Sequence, residues 1–174
     1  FTRFAHDPGD VRSLGANTVY SIRVDLRGRV WVGTRGGGLD EVVGSALSPA
    51  TISFRNYAES AGLPNTTIYG IETDSSGRLW LSTNRGLSRF DPVTHEVRNF
   101  RRAHGLQADE FNFGAHYRSL DGELFFGGPG GYNAFFPERL QFNDRAPPVV
   151  LTSFRKLNEP AQTAVPHDRL QHIA

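Results

Sequence analysis

The chain has 174 residues, 38% of them hydrophobic, and its net charge at neutral pH is only +1. A charge this close to zero does not favour binding to nucleic acid or to an anionic membrane. The absence of Cys excludes disulfides and thiolate sites, and no apolar run approaches the ~20 residues of a membrane helix. Because the chain starts at Phe1 and contains no Met, we interpret it as an excised or processed piece.

The first 16 residues precede a repeated pattern. The segment FTRF, from Phe1 to Phe4, resembles the segment FRNY at Phe54, and FRNY lies in the last strand of the first repeat unit. We therefore expect residues 1–16 to contain the outer strand of a preceding unit, followed by a linker.

The first repeat unit begins with TVYSIRVDLRGRVWVGTRGGGL, from Thr18 to Leu39. An alternating apolar run, a turn with Asp25 and Gly28, and a second apolar run predict a β-hairpin. A Gly-Leu step then starts a third strand, and an apolar-aromatic strand from Ile52 to Tyr57 closes the unit.

Two further copies follow at nearly constant spacing. TIYGIETDSSGRLWLSTNRGLSRFD starts at Thr67, and Trp31 and Trp80 are 49 residues apart. The looser copy FGAHYRSLDGELFFGGPGGYNAFF starts at Phe113, and its Phe125 lies 45 residues after Trp80. Four short strands per unit of this length are typical of a β-propeller blade, whose faces are buried by stacking on neighbouring blades.

The predicted fold is all-β: a partial β-propeller of about three four-stranded antiparallel blades. We place blade 1 at residues 17–62, blade 2 at 63–105 and blade 3 at 106–145. Trp31, Trp80 and Phe125 are predicted to occupy equivalent buried positions. Ala146-Pro147-Pro148 breaks the pattern, so residues 146–174 are predicted to be the truncated start of a following β-sandwich, with a short helical stretch near residues 167–173.

These segments resemble the two-component regulator propeller repeat. Its pattern of a D-x-x-G hairpin, W-[VI]-G-T and G-[GL]-[LI] is matched by DLRGRVWVGTRGGGL and DSSGRLWLSTNRGL, whereas the third copy has Phe125 in place of Trp. PPVVLTSFRKLNEP, from Pro147, resembles the start of the triple-tyrosine β-sandwich that follows such propellers. The resemblance implies a periplasmic sensor region of a bacterial inner-membrane protein, whose output domain is a histidine kinase or a diguanylate cyclase.

The best candidate binding site lies in the loops that enter the first strand and leave the second strand of each blade. In a propeller these loops line one mouth near the axis, where guanidinium and amide groups could hold an anionic or sugar-like ligand; the alternative is a solvated rim. The candidate ligand-binding residues are Asn17, Arg35, Asn65, Asn84, Arg85, Glu110 and Asn112.

Other candidates have structural explanations. Asp25 and Asp74 precede turn glycines and fit turn capping better than calcium binding, which needs several oxygens at close spacing. Trp31 and Trp80 fit packing between blades better than sugar stacking, and the pairs Asp40-Glu41 and Asp109-Glu110 point to opposite faces of a strand. We therefore predict no catalytic residue, no metal site and no cofactor.

The sequence thus predicts a non-catalytic segment that senses a ligand, or transmits a signal, for a membrane-bound regulator. A polar small molecule or oligosaccharide is the expected ligand class, carried over from the resemblance. The remaining blades of the parent propeller and a second copy of the chain are the expected protein partners, whereas nucleic acid and membrane are not. Two alternatives stay open: a propeller enzyme, such as a glycosidase or lyase, and a pure interaction scaffold.

Overall fold

The computed structural model describes residues 1–44, 51–140, 155–156 and 159–160. The chain divides into two compact units, residues 1–140 and residues 141–174. In the second unit, β12 (Arg155–Lys156) pairs antiparallel with β13 (Glu159–Pro160). The predicted β-sandwich stays a prediction, and the predicted helical stretch near residues 167–173 lies outside the described residues.

The first unit contains three antiparallel sheets, which confirms the all-β partial propeller. Blade 1 has strands β1 to β4 and blade 2 has strands β5 to β8, each in sequential order across the sheet. Their bounds are β1 Val19–Val24, β2 Val30–Thr34, β3 Leu39–Val43, β4 Ser53–Tyr57, β5 Ile68–Thr73, β6 Leu79–Thr83, β7 Gly86–Phe90 and β8 Val97–Phe100. No helix among the described residues has the length and apolar character needed to span a membrane.

The structure describes only part of predicted blade 3. Its described part has three strands, in the order β11-β10-β9: β9 His116–Arg118, β10 Leu124–Gly128 and β11 Gly131–Phe135. The rest of predicted blade 3, residues 141–145, lies outside the described part of the chain.

The linkers between blades repeat a short 3₁₀ turn. Glu59–Ala61 ends at Gly62 with φ +93°, and Arg102–His104 ends at Gly105 with φ +96°. Left-handed backbone of this kind favours Gly. This explains why the sequence places Gly-Leu at both linkers.

Packing between blades forms the two main cores. Trp31 is fully buried against blade 2, where it contacts a cluster that includes Ile71, Leu79 and Leu81. Trp80, 1% exposed, packs in turn with Leu124 and Phe126 of blade 3. Full burial of such side chains stabilises a fold by roughly 1.5–3 kcal/mol each. The equivalence of Trp31 and Trp80 is therefore a consequence of stacking one blade on the next.

Phe125 occupies the equivalent strand position, as predicted, but it is only half-buried. Trp31 and Trp80 each face a following blade, whereas no further blade covers Phe125 in the described unit. Its ring lies 6.3 Å from the rings of both Tyr117 and Tyr132, which are 60% and 69% exposed. The prediction of a buried Phe125 was wrong for the described unit because burial here depends on the next blade.

The N-terminal segment forms no strand. Residues 1–16 contain turns and loops, and Leu14 is buried with Val32 and Phe54 against the outer face of blade 1. Phe4 makes an edge contact with Phe54 at 5.8 Å between ring centroids. The expectation that Phe1–Phe4 form the outer strand of a preceding blade stays a prediction, because such a strand would need the third strand of its own sheet as a hydrogen-bonding partner.

Each of the first two blades has an Asp that joins the hairpin turn to the Trp. Asp25 accepts hydrogen bonds from the backbone N–H of Arg27 and Arg29, from Arg29 Nε at 2.7 Å and from Trp31 Nε1 at 3.0 Å. Asp74 of blade 2 repeats this set, with Trp80 Nε1 at 3.1 Å. The predicted turn capping is present, and the bond to the indole is an addition that we did not predict.

Blade 3 lacks both members of this pair. Ser119 takes the place of the Asp and closes the same turn, since its backbone N–H donates to the carbonyl of Glu123 at 2.9 Å. Phe125 takes the place of the Trp and has no ring N–H to satisfy. The carboxylate and the indole are therefore present together or replaced together.

Asp25→Asn should lower the free energy of unfolding by about 1 kcal/mol at pH 7, because charge-assisted hydrogen bonds are replaced by neutral ones. Burial acts to raise the pKa of Asp25, but the hydrogen bonds from Trp31, Arg29 and Arg27 together hold it below its ordinary value of 3.8. Stability from a lowered pKa is fully present above the unfolded value and is lost as the pH falls through the folded value. The difference between wild type and variant should therefore shrink below pH ~4, as measured by urea unfolding across pH.

Asp10→Asn is the matched control for this measurement. Asp10 also accepts a backbone N–H in a turn, from Arg12, but it is exposed and has no indole partner. We expect a small effect at any pH. A difference for Asp25→Asn that stays constant from pH 7 to pH 2 would contradict the account.

Candidate functional site

The inner strands β1, β5 and β9 lie side by side, and their N-terminal ends define the axial mouth of the unit. The loop after β2 reaches the entrance of β1, where the N–H of Arg35 donates to the carbonyl of Thr18 at 2.9 Å. The carbonyl of Thr83, at the end of β6, accepts from the N–H of Phe111 at 3.2 Å. The loops that we predicted to meet do meet at this mouth.

The predicted charged residues of the mouth are exposed. Arg35 follows β2 directly, and Arg85 follows β6 after Asn84. Both arginines are exposed, as is Glu110 in the loop before β9. Asn112 is also exposed, and its N–H donates to the carbonyl of Gly127 at 2.9 Å. Their role in binding stays a prediction.

The other predicted amides are engaged with the protein itself. Asn17 Oδ1 accepts the backbone N–H of His6 at 2.8 Å, and Asn65 Oδ1 accepts that of Thr67 at 2.8 Å. Asn84 Oδ1 accepts the hydroxyl of Tyr69 at 2.6 Å. Asn17 and Asn65 therefore shape the entering loops, whereas Asn84 positions an aromatic ring.

Sequence reasoning missed three aromatic residues at the mouth. The Tyr20 ring stacks on Tyr69 with centroids 5.5 Å apart, and the Phe113 ring lies 4.8 Å from Tyr20. The signal was available, because Tyr20 and Tyr69 are 49 residues apart and so occupy the same position in two repeats. We name Tyr20, Tyr69 and Phe113 the mouth aromatics.

A second missed feature is a buried carboxylate on the middle inner strand. Glu72 on β5 is 3% exposed and forms ion pairs with Arg23 on β1 and with His116 Nδ1 on β9, the latter at 2.9 Å. The ring of His116 packs over Gly70, where an added Cβ would collide with the imidazole. One acidic residue thus joins all three blades.

The adjacent acidic pair of blade 1 separates as predicted. Asp40 is fully buried, where its carboxylate accepts the N–H of Gly15 and the amide of Asn56, and burial raises its pKa. Glu41 turns to the other face and pairs with Arg55 at 3.2 Å. The two carboxylates therefore do not share a site. No group of three His, Asp or Glu suited to a metal occurs among the described residues.

Residues 62–85 match the sequence profile of the family described as Two component regulator propeller. The matched residues correspond to the linker and first hairpin of blade 2. Histidine kinase P4 of Formosa agariphila is 32% identical over 76 residues, which cover 44% of this chain and 6% of that protein. The chain therefore corresponds to a small part of this curated relative.

Two solved structures share the fold. The extracellular domain of the putative hybrid two component system BT4673 from B. thetaiotaomicron aligns with a TM-score of 0.64 at 24% identity, over 80% of this chain and 19% of that one. The extracellular domain of BT3049, a second such system from the same organism, aligns with a TM-score of 0.51 at 24% identity, over 92% and 28%. The chain is thus similar to a segment of the extracellular region of two-component systems.

Proposed function

We propose that the chain is a non-catalytic segment of the periplasmic sensor region of a membrane-bound bacterial two-component regulator. The observation that carries the proposal is the 32% identity to part of a histidine kinase. The match of residues 62–85 to the regulator propeller profile supports it. Among the two output domains left open by the sequence, these similarities favour the histidine kinase over the diguanylate cyclase.

The arrangement of the mouth supports a role in binding. Arg35 and Arg85 are exposed on loops whose backbones bond to the chain before β1 and before β9, at the end of the unit that also carries the mouth aromatics. Binding here would bias the arrangement of the blades and of the β-sandwich that we propose to follow them. A polar small molecule or oligosaccharide is the proposed ligand class.

The enzyme alternative depends on acids and bases that converge on an open site. Glu72 and His116 do meet, but the carboxylate is buried and also paired with Arg23, so this pair joins blades rather than facing a substrate. A glycosidase or lyase activity that is abolished by His116→Ala in a correctly folded variant would favour the enzyme. The interaction scaffold is favoured if no small molecule alters signalling.

Arg35→Ala with Arg85→Ala in the full-length protein should weaken the ligand response by about tenfold or more, as expected when charge-assisted contacts are lost. The melting temperature should change little, because both side chains are exposed. The measurement is autophosphorylation of the kinase as a function of ligand concentration, after a thermal-shift screen of oligosaccharides and small carboxylic acids has identified a ligand.

Arg27→Ala is the control, since Arg27 is an exposed Arg in the hairpin turn at the other end of β1. An unchanged dose-response in the double variant would remove both arginines from the site. Two results together would overturn the proposed function: no added compound changes autophosphorylation, and the activity of the kinase does not depend on these blades.

Blade 1 and blade 3 each expose an apolar face that could pack against another protein surface. On blade 1, Ile22 and Val24 are 63% and 58% exposed, whereas Ile71, the counterpart of Ile22 in blade 2, is fully buried. On blade 3, an open cleft of ≈550 Å³ is lined by residues that include Tyr117, Phe125 and Tyr132. We propose that further blades of the parent propeller cover these faces.

The 174-residue chain alone should therefore self-associate at micromolar concentration, because exposed apolar patches of this kind usually find a partner. Multi-angle light scattering should give at least a dimer, and Ile22→Asp with Val24→Asp should shift it toward monomer. Leu120→Asp, which alters an equally apolar residue in an exposed turn, should leave the mass unchanged. A well-folded wild-type monomer would show that the end faces carry too little apolar surface.

A further inference from the structure

A cleft of ≈490 Å³ lies between the N-terminal segment and blade 1, and its volume falls in the ~300–1,000 Å³ range of small-molecule sites. Residues from 6–15 line one side of it. The turn after β2, at Gly36 and Gly37, and Asn56 on β4 line the other side. In the described part of the chain, the cleft shares no lining residue with the predicted ligand-binding loops or with the mouth aromatics. It is therefore a separate candidate site.

One side of the cleft comes from a departure from the repeat. The linker before blade 1, residues 4–14, has 11 residues, whereas the equivalent linkers at residues 57–63 and 100–106 have seven. The longer linker carries Asp7 and Asp10, and both line the cleft. Packing between blades does not require this extra length, because the other two linkers connect their blades without it.

The buried carboxylate of Asp40 is a second, independent departure. Asp40 on β3 occupies the position that neutral residues, Ser88 and Asn133, hold in blades 2 and 3. It is fully buried and accepts hydrogen bonds from two groups of the cleft lining, the N–H of Gly15 and the amide of Asn56. Among the described residues, no Arg, Lys or His forms an ion pair with it. A buried charge without a cation costs stability, so this charge indicates a ligand of opposite sign.

His6 and Asn56 each present a hydrogen-bond acceptor to the cleft. His6 Nδ1–H donates to the carbonyl of Leu14 at 2.7 Å, so Nε2 of the neutral imidazole is an acceptor. The amide nitrogen of Asn56 donates to Asp40 Oδ1 at 3.0 Å and to the carbonyl of Gly37, which leaves Asn56 Oδ1 without a donor among the described residues. The contacts that orient these two side chains thus leave both of them able to accept from a ligand.

Two exposed carboxylates add to this set of acceptors. Oδ1 of Asp7 accepts the N–H of Gly9 at 2.8 Å, and Oδ1 of Asp10 accepts the N–H of Arg12 at 2.9 Å. Within the described ranges, Oδ2 of both residues makes no hydrogen bond. Arg12 also lies 3.6 Å from Asp10, but this ion pair is exposed. Apart from His6, no basic side chain of the described residues lines the cleft.

These groups select a ligand that carries positive charge and several N–H donors. A primary ammonium group has three donors and no acceptor, whereas a quaternary ammonium group has no N–H. A metal ion fits less well, because no group of three His, Asp or Glu suited to a metal occurs in the described ranges. Pro8, Val11 and Leu14 add apolar surface against which a short carbon chain can pack.

We propose that this cleft binds a small aliphatic amine through its primary ammonium group. Asp7, Asp10 and Asn56 accept hydrogen bonds from the ammonium, and the buried charge of Asp40 lies behind Asn56. The site goes beyond the proposed function and does not depend on it, since it is built from the longer linker and not from the axial mouth.

Titration calorimetry of the full-length protein with putrescine tests the site. Putrescine should bind with a Kd below about 1 mM, and butanediol and tetramethylammonium, which lack the charge or the N–H donors, at least tenfold more weakly. Asp40→Asn keeps the shape and should weaken putrescine binding about tenfold, yet the Tm should stay equal or rise because an unpaired buried charge is removed. Glu59→Gln, which alters an exposed carboxylate in the equivalent linker of blade 2, should leave the affinity unchanged.

Asp7→Asn with Asp10→Asn decides the inference even if Asp40→Asn does not fold, because both side chains are exposed. This double variant should weaken putrescine binding at least tenfold, and an affinity equal to that of wild type overturns the site. A lower Tm in Asp40→Asn without a change in affinity also overturns it and assigns the carboxylate to the fold. Binding of Ca²⁺ but of no amine, or equal binding of putrescine and tetramethylammonium, has the same consequence. None of these results affects the proposed sensor function.

Discussion

Trp80→Ala should lower the free energy of unfolding by about 4 kcal/mol, the largest effect that we expect from one substitution in this chain. The indole is 1% exposed and packs between two blades, with the rings of Phe135 and Phe100 at 4.9 and 5.4 Å. Its removal leaves a cavity between the sheets and also removes a hydrogen bond from the buried carboxylate of Asp74. Urea unfolding at constant protein concentration measures the loss.

Two variants separate the contributions to this loss. Trp80→Phe keeps one aromatic ring but removes the Nε1–H and part of the indole, so it should cost about 1–2 kcal/mol, from one lost hydrogen bond to Asp74 and a small loss of buried volume. Phe125→Ala alters the equivalent position in blade 3, where the ring is only half-buried, and should cost about 1 kcal/mol. Equal losses in Trp80→Ala and Phe125→Ala would contradict the view that burial between blades determines the effect.

Glu72→Ala should cost about 2 kcal/mol, because it leaves Arg23 and His116 facing each other across the inner strands without their shared carboxylate. Both partners keep access to water, with 34% and 20% of their side chains exposed, which limits the loss. Glu72→Gln keeps the shape and should cost less. Since one residue contacts both neighbouring blades, the loss should be seen in all three sheets by hydrogen exchange.

A double-mutant cycle between Glu72 and Arg23 should give a coupling energy of about 1 kcal/mol. The matched control is the pair Asp10 and Arg12, in which both side chains are exposed and the N–O distance is 3.6 Å. Surface pairs of this kind contribute little, and we expect no measurable coupling there. Absence of coupling between Glu72 and Arg23 would show that Glu72 acts through packing alone.

The repeat pattern predicted the blades because the same packing between neighbouring sheets recurs in each blade. Trp31 and Trp80 recur because each fills the space to the next sheet, and Gly62 and Gly105 recur because a left-handed turn ends each linker. Phe125 was misjudged for a related reason: its burial depends on a neighbour and not on its own strand. Spacing within a sequence identifies equivalent positions, but it does not state what covers them.

The candidate site was predicted less completely, because it depends on departures from the repeat. Glu72 stands where blade 1 has Arg23 and blade 3 has Tyr117, so its ion pairs cannot be inferred from any regular pattern. Tyr20 and Tyr69 do repeat, but the bulges that turn them toward the mouth require knowledge of the strand register. The topology of a propeller located the loops correctly, but it did not predict the direction in which their side chains and those of the inner strands point.

The joint presence of Asp and Trp in blades 1 and 2, and of Ser and Phe in blade 3, constrains how such a blade can evolve. Loss of the Trp alone removes one hydrogen bond from a buried carboxylate that keeps its bonds to the Arg and to the turn backbone, and loss of the Asp alone leaves a buried indole N–H without its partner, so each single step lowers stability. The two positions are therefore epistatic, and the route from one pair to the other passes through a less stable intermediate. Blade 3, whose Phe125 is only half-buried in the described residues, is the blade that carries the exchanged pair.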